Sequence, residues 1–487
     1  MPDKNNRIQQ KRIIRGAIAI ALAVVLVFSA IAIHNSRQTV PVYEPTVSEQ
    51  GSSSTESSST TNPSTTDQSS TTETTTKETS TESTTKKKET TTKPSDKTDA
   101  TIRVPSEGAT KVSSASFGVT GDILIHNDVL KAAKKSDGTY DFNDAFTKVS
   151  PYYKKYNRMI ANLEVTLGGS GKEYSGYPTF NTPDSIVTAL KSAGVDMLLT
   201  ANNHTYDTGF SGMKRTIQVV NDMGLQYSGT RLSESAPRFS VNNVNGIKVG
   251  MMCYTYETKS SSDGRKALNG ITLSAEAGPL VNSFNYNKLN SFYTDAEKSI
   301  NQMKNQGAEA IVFFMHWGNE YQTYTNNYQT KIAQKLCELG VDVIVGGHPH
   351  VVQPFDTLVS STGHETICIY SIGNALSNQR RNLIGAAPNG HTEDGMIFSF
   401  SFEKWSDGTV TISDVNILPL WVDMKTVNGK KVYDIIPLDA SISDWSQLGL
   451  SSISNGKASY NRTMKIVGKG LNEYRTSHGM KAVKTSI

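Results

Sequence analysis

A chain of 487 residues, 36% hydrophobic and 19% charged, has room for roughly two to four domains. Its 49 basic and 45 acidic side chains leave a formal charge of +4, but residues 1–15 alone hold five bases against Asp3, so the remainder is balanced at 44 each and argues against a nucleic-acid partner. Three scattered cysteines, Cys253, Cys337 and Cys368, exclude a disulfide framework or a zinc knuckle and read as buried small apolar residues.

The basic segment 1–15 leads into GAIAIALAVVLVFSAIAI, an uncharged run of eighteen residues from Gly16 to Ile33. That length is close to the ~17–25 residues that span a bilayer as a helix. Basic residues ahead of the run keep the N-terminus in the cytoplasm, which predicts a single-pass membrane protein with its C-terminal head outside. A cleaved signal peptide is the competing reading, because Ala30-Ile31-Ala32 offers small residues for cleavage. The run exceeds the ~7–15 residues of a signal peptide's apolar core, which favours an uncleaved anchor. Residues 34–112 follow as a linker, dominated between 47 and 100 by Ser and Thr. With hardly an apolar side chain, that stretch cannot offset its ordering entropy and is expected to be a solvated, disordered tether.

From about Ala115 the pattern turns globular. ASFGVT (115–120), RMIANLE (158–164), DMLLTANN (196–203), KVGMMCYTY (248–256), AIVFFMHW (310–317) and DVIVGG (342–347) read as strands. TPDSIVTALKSAG (182–194) reads as a helix with Thr182 at its cap, Pro183 in its first turn and Gly194 as terminator. GFSGMKRTIQVVNDMG, NYNKLNSFYTDAEKSINQMKNQG and NNYQTKIAQKLCELG behave alike, each closing on glycine. The alternation predicts an α/β fold. After Gly363 come strands without helices, TICIYSIGN, GMIFSFSFEKW and TVTISDVNILPLWV, with Asp407-Gly408 as a turn, and these are expected to form a second sheet packed on the first. The stretch 440–487 is polar and weakly patterned and suggests no role.

Side chains able to bind metal or move protons collect just beyond the strands' carboxyl ends, where open α/β sheets place their sites. These are Asp122 and His126, Asn162 and Glu164, then Asn203, His204 and Asp207, then His316 and Glu320, and finally His348 and His350. Each has an ordinary alternative: Asp122 as a turn residue, His204 as a satisfied core histidine, Glu320 as solvated surface. His316 at the end of a very apolar strand resists such a reading, since an unpaired imidazole is costly to bury. Five of the nine histidines at strand ends favour a common site. Its mix of imidazole, carboxylate and amide oxygen suits Zn, Mn, Fe or Ni better than Ca or Mg.

GDILIH, ANLE, ANNHTYDTG, MHWGNEY and GGHPHVVQPFD, with YSIGN after them, resemble the ordered motif series of the capsule-synthesis CapA family, across residues ~115–420. The resemblance implies poly-γ-glutamate capsule production and kinship with calcineurin-like metallophosphatases: a four-layer α-β-β-α sandwich with one or two divalent transition-metal ions at one edge. It places a CapA-like domain at 113–425 and a C-terminal extension at 426–487. Carried over residue by residue, Asp122, Glu164 and His350 would hold one ion, and Glu164, Asn203, His316 and His348 the other, with Glu164 as bridge. His204 matches the histidine that protonates a leaving oxygen, and Asp207 is placed to orient it. Metal-assisted attack of water on phosphorus or an acyl carbon would follow, with Glu320 and Gln353 as further groups near the substrate. The chain departs from the metallophosphatase pattern in having His126 four residues after Asp122 and Asn162-x-Glu164 in place of Gly-Asp-x-x-Asp, which leaves the first ion short of a ligand. Implied partners are membrane-embedded synthase or export subunits and the anionic capsule polymer. A non-catalytic accessory subunit that binds the polymer or the synthase is the alternative to a hydrolase.

Overall fold

The structure, a computed structural model, describes residues 104–258, 264–387 and 389–487. The expected basic segment, membrane helix and most of the linker lie outside the described residues. Among the described residues no helix is long and apolar enough to cross a membrane.

In chain order, β1 (Lys111–Ile123) leads to α1 (Asn127–Ala133) and two single-turn helices, α2 (Asn143–Phe146) and α3 (Ser150–Tyr153). Next come β2 (Arg158–Leu163), α4 (Ser185–Ala193), β3 (Met197–Leu199), α5 (Gly209–Asp222) and β4 (Gln226–Ser228). A second series runs through β5 (Ser240–Val244), β6 (Ile247–Tyr256), the short β7 (Ala267–Leu268), β8 (Ile271–Thr272) and β9 (Ser283–Phe284), then α6 (Leu289–Asn305) and β10 (Ala310–His316). It continues with α7 (Asn327–Glu338), β11 (Val343–Gly347), β12 (Phe355–Val359), β13 (Glu365–Ile369) and β14 (Asn374–Leu376). The chain ends with β15 (Asp394–Trp405), β16 (Val410–Val427), β17 (Lys430–Pro437) and α8 (Ile453–Ser477).

Two mixed sheets result. The first has the order β17-β16-β15-β1-β2-β3-β4, with β14 also on β1, and the second β12-β13-β11-β10-β6-β5, with β9 on β6. The strands after Gly363 therefore do not make a sheet of their own. β13 joins β11 in the second sheet, while β15 pairs antiparallel with β1 in the first. β16 also runs through the expected boundary at 425 and pairs with β17 beyond it.

Side-chain alternation explains the layering. Phe117 and Val119 of β1, Val249 and Met251 of β6, and Val312 and Phe314 of β10 meet in one core between the sheets. The intervening residues of β6 and β10, Met252, Tyr254, Ile311 and Phe313, pack outward against Ile300 and Met303 of α6 and Ile332 and Leu336 of α7. On the other outer face, Met159, Ala161 and Leu198 pack on Ile186 and Leu190 of α4 and Val220 of α5. The order is helices, sheet, sheet, helices.

The helices expected from their closing glycines are all present, with one difference at a start. α4 begins at Ser185 with Asp184 rather than Thr182 at the cap, and Gly194 ends it at φ 108°. α7 opens with a capping box in which Asn326 and Gln329 satisfy each other's backbone N–H groups. The polar stretch after 440 holds α8, whose Tyr460, Met464, Val467 and Leu471 enter the inter-sheet core. It packs on β12 and β16 and so closes one side of the sandwich.

Candidate metal centre

Parallel strands from both sheets end at the same edge, β1, β2 and β3 from one and β10 and β11 from the other. Their last residues and the turns after them deliver Asp122, Glu164, Asn203, His316, His348 and His350 to one buried cluster, each at most 3% exposed. Gly121 makes the approach: a Cβ there would run into the carbonyl oxygen of Gly373, which precedes β14. His348 and His350 sit at φ 97° and 57°, the left-handed backbone that non-glycine residues adopt where a site demands it.

Glu164 is central. Its Oε1 lies 3.3 Å from His316 Nε2 and 3.8 Å from His350 Nε2. Asn162 Nδ2 donates to Asp122 Oδ1 at 2.7 Å and to Glu164 Oε2 at 3.3 Å, tying the two carboxylates together. His350 Nδ1 lies 3.2 Å from Asp122 Oδ2, and the backbone N–H of His348 donates to the same oxygen at 3.3 Å. His316 Nε2 stands 2.8 Å from Asn203 Oδ1. Two groups of three could each hold an ion, with one donor atom per residue and all donors within 4.8 Å of one another: Glu164, His348 and His350, and Asp122, Glu164 and His316. The bridging place of Glu164 agrees with the resemblance. The contacts of His350 with Asp122 and of His316 with Asn203 follow the two implied sets, while the two groups of three also set His348 beside His350 and His316 beside Asp122.

Burial sets the charges. It pushes the Glu164 carboxyl well above the usual carboxylate range, and the neighbouring Asp122 charge adds to this. Burial acts the same way on Asp122, but the hydrogen bond and charge of His350 outweigh it and the net displacement is downward. His350 is correspondingly raised, its burial overcome by Asp122. Burial lowers His316 to about 3 and takes His348 well below the ordinary imidazole range, so both rings are neutral.

The residues fit a divalent ion on an observation independent of any resemblance. Glu164 Oε1 and His348 Nδ1 are buried and have no hydrogen-bond partner. Buried polar atoms without a hydrogen bond are costly, and a cation held by Glu164 and His348 with the neighbouring imidazoles would relieve that cost.

His204 stands beside the cluster, 3% exposed, with Nδ1 2.7 Å from Asp207 Oδ2. A carboxylate only accepts, so Nδ1 is the nitrogen that donates to Asp207. Asp207 also accepts from the N–H of Phe180 at 2.7 Å and from Asn269 Nδ2 at 3.3 Å, while the Phe180 ring meets His204 edge-on at 4.7 Å.

His126 belongs to neither group of ligands. It stands at the N-cap of α1, its Nδ1 accepts from the N–H of Asn378 at 3.2 Å, and its ring packs on Phe180. Glu320 is exposed, and Gln353 is buried in loop support, donating to the carbonyls of Gln322 and Tyr324. Two supporting residues carried no sequence signal of their own. Asn374, inside the YSIGN run, places Oδ1 3.2 Å from His350 Nδ1, and Asn202 holds Asn162 through a 3.2 Å bond.

Residues 116–379 match the family model described as bacterial capsule synthesis protein PGA_cap. The chain is 26% identical over 313 residues to the PGA biosynthesis protein CapA of Bacillus subtilis (strain 168), covering 63% of this chain and 72% of that protein. It is 29% identical over 266 residues to the capsule biosynthesis protein CapA of Bacillus anthracis, covering 54% of this chain and 59% of that one. Among solved structures, the calcineurin-like phosphoesterase YfkN from Bacillus subtilis aligns over 74% of this chain and 98% of its own, with 14% identity and a TM-score of 0.36.

Proposed function

The chain belongs to the bacterial capsule synthesis protein family, and from that premise we propose that it serves poly-γ-glutamate capsule production as a membrane-anchored protein whose head, outside the cytoplasm, carries a metallophosphatase-type hydrolytic centre. Asp122, Glu164, Asn203, His316, His348 and His350 would hold one or two divalent transition ions. Bound there, the ion supplies Lewis acidity and a more acidic water for attack on phosphorus or an acyl carbon.

The protein's own groups do the rest. His204, its Nδ1–H held by Asp207, takes up at Nε2 the proton released by the attacking water and passes it to the leaving atom. Asn162 keeps the two carboxylates in register, and Asn374 keeps His350 turned toward them. Phe180 packs its ring against His204, and Tyr256, 4.7 Å from the ring of His348, packs against that candidate ligand.

One observation carries the reading: Glu164 and His348, each with a buried atom that has no hydrogen bond, Oε1 and Nδ1, share a cluster with three further candidate ligands. The test is metal analysis of the purified full chain beside His204→Ala and His350→Ala variants, with polymer output measured in the cell. The reading expects transition metal in the parent and in His204→Ala, reduced metal in His350→Ala, and loss of output in both. Normal output from both variants would overturn the hydrolytic centre and favour an accessory role.

A further inference from the structure

A second concave surface lies away from the metal centre. Phe117 of β1 and Phe400 and Phe402 of β15 point into the inter-sheet core, so the alternate residues Ser116, Ser399 and Ser401 face outward. Ser116 pairs with Ser401 across the strands, and Ser401 with Ser413 of β16. One step along, Gly118 pairs with Ser399, and Ser399 with Asn416. Ser116, Ser399, Ser401 and Asn416 thus line the floor of a cavity of about 530 Å³, the Ser116 hydroxyl donating to Asn157 Oδ1 and that of Ser399 to the carbonyl of Asn416.

Its walls are basic. On one side stands Lys155, in the connector before β2, beside Tyr156, whose ring occupies the space a Gly118 side chain would need. On the other are Arg475, in the last turn of α8, and Lys481 just after it. Arg475 is fixed by donating to the carbonyls of Lys481 and Val415, while Lys155 lies 4.4 Å from the centre of the Tyr152 ring. Among the described residues none of these three cations forms an ion pair, and Asp414 is the one carboxylate in the lining. Ser116 precedes Asp122 by six residues on β1, which separates the trough from the metal centre by roughly 20 Å at the ordinary rise of a strand.

We propose that this trough binds successive carboxylates of an extended polyanion, a stretch of the capsule polymer, through Lys155, Arg475 and Lys481 over a polar floor. Three cations without carboxylate partners around a polar floor select anions. Choosing a polycarboxylate among anions rests on the capsule reading above. The trough is a holding site that does no chemistry.

The test titrates the full-length chain with a fluorescent oligo-γ-glutamate, with free glutamate and inorganic phosphate as competitors, followed by anisotropy. Lys155→Ala/Lys481→Ala should weaken oligomer binding by about ten-fold or more, with unchanged metal content and thermal midpoint, because both side chains are exposed. His350→Ala should bind the oligomer like the parent. Equal affinity in the double variant, or no oligomer binding at all, would overturn the proposal. Competition by phosphate or free glutamate at the oligomer's own concentration would overturn the polymer assignment. Loss of binding in His350→Ala alone would move the polymer to the metal centre, sinking the trough while leaving the proposed function intact. Conversely, normal capsule output from His350→Ala with charge-dependent oligomer binding would sink the hydrolytic centre and leave the trough.

Discussion

Asn374 holds His350 from behind, its Oδ1 3.2 Å from the ring Nδ1, while its own amide donates to the carbonyl of Thr392 and to Gln379 Oε1, both at 2.9 Å. The asparagine is itself pinned at two points, so it fixes the direction in which His350 presents Nε2 to Glu164.

Removing that pin should loosen the ligand without dismantling the sheet. Asn374→Ala is expected to weaken metal binding by about 10–100-fold, the usual cost of losing a partner behind a metal-ligating histidine. Competition against a chromogenic chelator measures it. An affinity equal to the parent's would show that His350 needs no orienting partner.

Glu164 predicts an opposition between stability and metal. In chelator-treated protein its carboxyl is held well above 4.5, first by burial and then by Asp122. The stability it contributes is therefore complete below 4.5 and is lost as pH rises through its folded value. Glu164→Gln removes that dependence, and at neutral pH the metal-free variant should be more stable than the parent by on the order of 1–3 kcal/mol. The same variant should gain nothing from added metal. Urea unfolding with and without chelator tests both halves, and a variant less stable than the metal-free parent would contradict the account.

Much of this site was legible in the sequence because its residues stand where parallel strands end, and apolar runs mark those ends clearly. The partition of strands between the sheets was not. TICIYSIGN and GMIFSFSFEKW look alike as patterns, yet β13 pairs with β11 and β15 with β1, a choice made by long-range packing that local alternation does not encode. α8 was missed for a different reason. Its buried face includes Gly456, Ser459, Thr463 and Gly468 beside Met464 and Leu471, so hydrophobic periodicity is weak and glycine lowers its helix propensity. Asn374 gave no signal because an asparagine in a strand states neither its depth nor its partner.

Gly347 separates fold from ligand geometry. A side chain there would place its Cβ 3.0 Å from Asp122 Oδ1, and its backbone is not in the left-handed region. Gly347→Ala should therefore fold, displace the Asp122 carboxylate by a few tenths of an ångström and cost about ten-fold or more in metal affinity. A calorimetric titration beside a thermal melt checks this. Unchanged affinity would mean that Asp122 is not held in place by the close packing of Gly347.

Asp394 and Arg462 fasten α8 to the start of β15. The carboxylate is 1% exposed and takes two guanidinium bonds, 2.6 and 2.7 Å, and a third from Ser459 Oγ at 2.6 Å. Burial still dominates, raising Asp394 to about 6 against the pull of Arg462. A raised carboxyl contributes stability that is complete below 3.8 and lost as pH climbs through about 6. Arg462→Ala strips the compensating charge, so it should cost about 3–5 kcal/mol at pH 8, where an unpaired buried carboxylate remains, and distinctly less at pH 5, where the group takes up a proton. Chemical unfolding at the two pH values measures the difference. Because Gly373 and Asn374 lie against Asp394 and Gly395, the same variant should also weaken metal binding at pH 8. A deficit that is small and equal at both pH values would show that the ion pair does not anchor the helix.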